Sequence, residues 1–178
     1  WMRGNQGHRR FSVVRHPLAR AHTVFCTKIL SRDQGAFLKI RETLRRQFKM
    51  PIPQGSVGPD FSRSNHRAAF EAFLEFLRMN LAGQTGIRVD GGWCTQAQAL
   101  TRFSEFAVLD HIYREDEMDT QLTDLAARYG HTDPEPPQAA APDTPYSLAD
   151  IYDSDLEGLA ADVYQRDYIM FGFGPWRA

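Results

Sequence analysis

Phe11-Ser-Val-Val14 is a short β-prone run that predicts a buried strand, and the polar Arg15-His16 pair that follows marks its end. Pro17 stands where the first turn of a helix tolerates proline, and it opens an amphipathic helix carrying Arg20 and Thr23. After a polar break at residues 31–34, Phe37, Ile40, Leu44 and Phe48 recur at helical spacing in a basic amphipathic stretch ending at Met50. Residues 50–59 contain Pro51, Pro53, Gly55, Gly58 and Pro59, a loop on composition. A second strongly patterned helix is predicted over residues 67–81. Phe70, Phe73, Leu74, Phe76 and Leu77 form its buried face, and Gly83 closes it.

The second half alternates in the same way. Residues 91–96 (Gly-Gly-Trp-Cys-Thr-Gln) form a loop before a short helix from Gln96. A strand is predicted over residues 106–112, then a polar turn, then a helix over 118–129 with Leu122, Leu125 and Ala126 inward and Gly130 at its end. The Pro/Ala-rich residues 133–145 predict an extended surface loop, since proline removes backbone donors and helical geometry. A helix over residues 153–164 follows, and Tyr168, Phe171 and Phe173 are expected to pin the C-terminal segment to the core. Strand–helix alternation implies an α/β layer architecture with a mainly parallel sheet and more helices than strands.

Length and composition narrow the class. The 178 residues suit one domain spanning 1–178, and a 42% hydrophobic content excludes general disorder. No apolar run approaches the roughly 20 residues that span a bilayer, so no membrane span is expected. The polar, basic start is not a secretory signal, which makes the cytoplasm the default setting. Beginning on Trp1 rather than Met, the chain reads as a fragment or processed product.

The net charge of −1 hides an asymmetry: residues 1–50 hold 12 of the 21 Lys and Arg but only Asp33 and Glu42 of the 22 acidic residues. A basic N-terminal third suits an anionic ligand such as a nucleotide bisphosphate or a sulfated sugar. The acidic remainder, and the lack of interleaved aromatic and basic positions, argue against nucleic acid. Cys26 reads as a buried thiol; a Cys26–Cys94 disulfide stays open. With no Cys-x-x-Cys or His-x-x-x-His spacing, no metal is expected.

The chemistry concentrates at Arg15, where the first strand ends, and at Thr23, eight residues on in the following helix. Arg offers a rigid fork of donors and Thr an adaptable hydroxyl, a pair able to grip one phosphate. Open α/β sheets bind ligands at the carboxyl ends of their strands. The segment resembles the phosphate-gripping strand-Arg-x-Pro-x-x-Arg-x-x-Ser of the carbohydrate (family 2) sulfotransferases, which include bacterial nodulation-type enzymes.

Three further segments carry the resemblance. Trp93 and Gln96 match the family's His-Trp-x-x-Gln, with Gly92 at the His position. Residues 109–118 are similar to Tyr-Asp-Phe-Ile-Gly-Lys/Arg-Phe-Glu-Thr/Asn-Leu, with Asp116 in place of Glu. Tyr164, Asp167, Phe171 and Gly172 follow a closing Tyr-x-x-Asp-x-x-x-Phe-Gly.

The resemblance implies a P-loop-nucleotide-hydrolase-like three-layer fold and transfer of a sulfuryl group from 3′-phosphoadenosine 5′-phosphosulfate to a hydroxyl of a carbohydrate-type acceptor. Arg15 and Thr23 would bind the 3′-phosphate of the nucleotide, and Arg20 would be structural. The family's loop for the 5′-phosphosulfate has no counterpart in the sequence, so the N-terminal unit is expected to be missing and the fragment inactive. No catalytic base is assigned. His111 is chemically able to serve, but the family has an apolar residue there, which favours a structural role. Two alternatives remain: an inactive relative acting as a binding module, and a nucleotide-dependent kinase of related fold, which needs a Walker-type Gly-rich loop with Lys.

Overall fold

A computed structural model describes residues 9–131 and 144–177. The Pro/Ala-rich stretch expected as a loop lies largely outside the described residues; of it, only Thr144 and Pro145 fall within them. The chain is mixed α/β and helix-rich, 55% helical, with a two-stranded parallel sheet among the described residues. Two compact units form, each drawn from separate stretches of sequence: described residues 9–16 with 96–131, and 17–95 with 144–177.

The first unit is built on the sheet. Strand β1 (Phe11–Val14) pairs in parallel with β2 (His111–Arg114), Phe11 opposite His111 and Val14 opposite Arg114. β1 has its predicted bounds but is less buried than expected, because only Val14 is covered and Phe11 is 45% exposed. Helix α4 (Gln96–Ser104) precedes β2, and α5 (Met118–Arg128) follows it after a 3-10 turn at Glu115–Glu117. Gly130, at φ 79°, takes the left-handed conformation just beyond α5.

The predicted 106–112 strand is corrected to His111–Arg114. The Phe106 and Ala107 N–H groups both turn back to the Phe103 carbonyl, closing α4, and Phe106 is left 86% exposed. Pairing begins at Asp110, whose N–H donates to the Arg10 carbonyl and whose carboxylate accepts from the Arg10 N–H at 2.8 Å.

The second unit is helical. Helix α1 (Pro17–Val24) runs directly into a π-helical stretch, Phe25–Leu30, followed by α2 (Leu38–Gln47) and the long α3 (Arg63–Leu81). Near the C-terminus lie α6 (Leu148–Ile151), α7 (Ser154–Val163) and α8 (Gln165–Phe171). α3 packs on α6 and α7, and α1 on α7. The core joins Leu18, Phe25 and Ile29 to Phe70, Phe73, Leu77, Trp93 and Leu156.

α3 starts a turn earlier than the apolar stripe predicts. Ser62 caps it, accepting from the Asn65 N–H, and the first buried position is His66, which a hydropathy count reads as polar. Asp153 caps α7 by accepting from the Asp155 and Leu156 N–H groups while also pairing with Arg67 at 2.6 Å. Arg41, 2% exposed, donates to the carbonyls of Pro53, Gln54 and Gly55, and so shapes the Pro/Gly loop without a carboxylate partner. Phe173 is buried and the Tyr168 hydroxyl donates to Glu157, pinning the C-terminal segment, whereas Phe171 remains half-exposed.

Candidate functional site

Parallel pairing sets the charge pattern at the carboxyl end of the sheet. Val14 lies opposite Arg114, so the next residue of each chain, Arg15 and Glu115, leaves its strand side by side. Their side chains form an ion pair at 2.7 Å. The Arg114 guanidinium meets Asp116 through two bonds, at 3.0 and 2.6 Å, and holds that carboxyl below the usual carboxylate range. His111 does not enter this cluster; it stacks on Tyr113 with ring centroids 5.5 Å apart, as residues two apart on one strand face do.

The Arg15 backbone is held as well. The Gln96 amide closes a two-way clamp: Nε2 donates to the Arg15 carbonyl at 2.8 Å and Oε1 accepts from the Arg15 N–H at 2.9 Å. Gln96 is 8% exposed, so this clamp is shielded from water. The Arg15–Glu115 pair has side chains 37% and 41% exposed and contributes at most about 1 kcal/mol.

Within the second unit, Thr23 sits in the last turn of α1, its hydroxyl donating to the Ala19 carbonyl one turn back. Arg15 and Thr23 thus belong to different units. Arg20 donates to the carbonyls of Cys94 and Gly91, each at 2.7 Å, and ties these two residues to α1.

Trp93 is fully buried at the centre of this loop. Its indole Nε1 donates to Asn80 Oδ1 at 2.9 Å, and its carbonyl accepts from the buried Tyr164 hydroxyl at 3.0 Å. Burial pushes the Tyr164 phenol above its ordinary pKa, so it stays a donor. Gly92 is half-buried beside Asp90 and Val24. A Cβ there would lie 3.0 Å from Asp90 Oδ1, which accepts from the Gly92 N–H, and 3.4 Å from Val24. Gly92→His is therefore expected to cost about 1–3 kcal/mol by overpacking, read as a lower urea midpoint at unchanged m-value.

One cluster was not anticipated. His22, Cys26 and His66, all buried, bring Nδ/Nε and Sγ atoms within 4.8 Å of one another. Cys26 is the buried thiol expected, and both cysteines are free. Burial in this apolar region pushes the Cys26 thiol up to about 12 and the His66 imidazole down to about 4. The one available sequence signal was His22-x-x-x-Cys26, a spacing that puts two metal-ligating side chains on one helix face.

No protein-family model matches this sequence, nor does any curated protein or solved structure. No helix among the described residues is long and apolar enough to cross a membrane.

Proposed function

We propose that the chain is a sulfotransferase-type domain of P-loop-nucleotide-hydrolase-like fold that binds the 3′-phosphate of 3′-phosphoadenosine 5′-phosphosulfate through Arg15. The observation that carries this reading is the Gln96 clamp on Arg15. Residues from two separate segments of the resemblance meet in a water-shielded pair of bonds, and their product is an arginine fixed at the carboxyl end of a parallel strand. That is where open α/β sheets take phosphates. Arg20 and Tyr164, from the first and last segments, add support by converging on the 91–96 loop.

The reaction is an in-line displacement. The oxygen of a carbohydrate-type hydroxyl forms a bond to sulfur and loses its proton to a base. The bond from sulfur to the 5′-phosphate oxygen breaks, and adenosine 3′,5′-bisphosphate leaves. Such a transfer depends on positioning and charge stabilisation, and a fixed grip on the non-reacting 3′-phosphate sets the donor's register.

Glu115 is the competitor the geometry supplies. A phosphate approaching Arg15 must displace it, so Glu115→Gln is expected to tighten adenosine 3′,5′-bisphosphate binding by about two- to five-fold, the value of an exposed ion pair. Arg15→Ala is expected to weaken it by about 10–100-fold, with folding intact because Gln96 holds only the backbone. Calorimetric titration with adenosine 3′,5′-bisphosphate, against ADP and AMP, reads both. Absence of a preference for the 3′-phosphate would overturn the proposal.

A second reading, an inactive relative serving as a binding module, is favoured by the existing neutralisation of Arg15 by Glu115. Weak or no binding of adenosine 3′,5′-bisphosphate would select it.

A further inference from the structure

His22, Cys26 and His66 have no part in the proposed phosphate grip and all lie within the second unit. His22 Nε2 and His66 Nε2 are 3.0 Å apart, and Cys26 Sγ lies 3.6 Å from the first and 3.9 Å from the second. A metal bound by two imidazoles at about 2.0 Å and one thiolate at about 2.3 Å has ligand edges of roughly 3.3–3.5 Å between nitrogens and 3.5–3.8 Å from sulfur to nitrogen. The observed triangle is within a few tenths of an ångström of this before any adjustment.

The cluster is poorly explained as a hydrogen-bond network. The two Nε2 atoms face each other, so one imidazole must donate and the other accept. Whichever way the protons are placed, His66 Nδ1 is buried with no hydrogen-bond partner among the described residues, a cost of about 1–3 kcal/mol. His66 is wholly enclosed, with Phe25, Phe61 and Tyr146 packed about its ring, and Phe70 meets His22 edge-on at 5.1 Å. The π-helical stretch starts at Phe25, so Cys26 lies at its opening turn; such bulges recur at functional sites.

We propose that His22, Cys26 and His66 form a three-coordinate site for a soft monovalent cation, Cu(I), contrary to the metal-free expectation from sequence. Charge decides between candidate ions. Cu(I) replaces the thiol proton one for one: a Cu–S bond forms, an S–H bond breaks, the proton leaves to solvent, and no net charge is added to the aromatic shell. Zn(II) would leave one positive charge uncompensated there and calls for a fourth ligand. Thiolate with imidazole is a donor set that suits Cu(I).

The test is an anaerobic titration of the full chain with Cu(I) delivered from its bicinchoninate complex, alongside the Cys94→Ser variant, which removes the other thiol. One equivalent is expected to be taken up by both proteins, with a raised thermal midpoint and X-ray absorption showing two nitrogen ligands and one sulfur. His66→Gln and Cys26→Ser are expected to lower the affinity by more than the roughly 10–100-fold that loss of a supporting residue costs. The absorption measurement on Cys94→Ser needs no core substitution, so it decides even if those variants fail to fold. Loss of uptake in Cys94→Ser, a spectrum without sulfur, or retention of Zn(II) in preference to Cu(I) would each overturn the proposal.

Discussion

Trp93→Ala is expected to lower the unfolding free energy by about 3–5 kcal/mol, the cost of deleting a large buried aromatic. The side chain is fully enclosed, with Phe37, Phe73 and Phe76 meeting it at centroid distances of 5.9–6.4 Å. Its loss also strips Asn80 Oδ1 of its indole donor. Asn80 is itself buried and uses its Nδ2 to hold Thr85 and the Ile87 carbonyl, so the damage spreads to the turn after α3. Trp93→Phe keeps most of the ring volume and removes the N–H, with an expected cost of about 1–3 kcal/mol from the stranded acceptor. Urea unfolding of the three proteins checks the order. An alanine variant within 1 kcal/mol of the parent, about what one ordinary hydrogen bond contributes, would show that this loop is not anchored through Trp93.

In metal-free protein, acidification from pH 6.5 to 4 is expected to remove up to about 3 kcal/mol of stability through His66. Burial lowers its folded-state value from 6.5 to about 4, with a smaller opposing pull from Asp150. Between those two values the unfolded chain carries a proton on this imidazole that the folded chain does not, so stability falls as pH falls and levels off at either end. Carboxylates held below their ordinary range by partners, such as Asp153 beside Arg67 and Asp150 at Ser147, contribute their own loss at lower pH. The His66 share is therefore read by comparison with His66→Phe, which should flatten the 4–6.5 window. A parent protein whose stability is flat or rises on acidification across that window would contradict the burial argument.

The sequence made local features legible where one residue decides the backbone. Pro17 marks the start of α1, the Val14–Arg15 change marks the end of β1, and Gly83 and Gly130 stop their helices at positive φ. It misled where apolar character had another cause. Phe106 and Val108 look like strand residues, yet they are exposed just past α4, where the Phe106 and Ala107 N–H groups turn back to the Phe103 carbonyl. The Gln96 clamp and the His22–Cys26–His66 triangle depend on partners 81 and 40 residues away, and no periodicity encodes such meetings. Arg15 stood out in the sequence for its side chain, and nothing there signalled the hold on its backbone by Gln96.

The fastenings at Arg20 and Gln96 have an evolutionary consequence. Both side chains engage main-chain atoms, those of Gly91, Cys94 and Arg15, which every residue type but proline presents alike. Selection to keep these ties acts on the fastener and leaves the fastened position open to drift. Across descendants of this chain, Arg20 and Gln96 should persist while position 94 wanders.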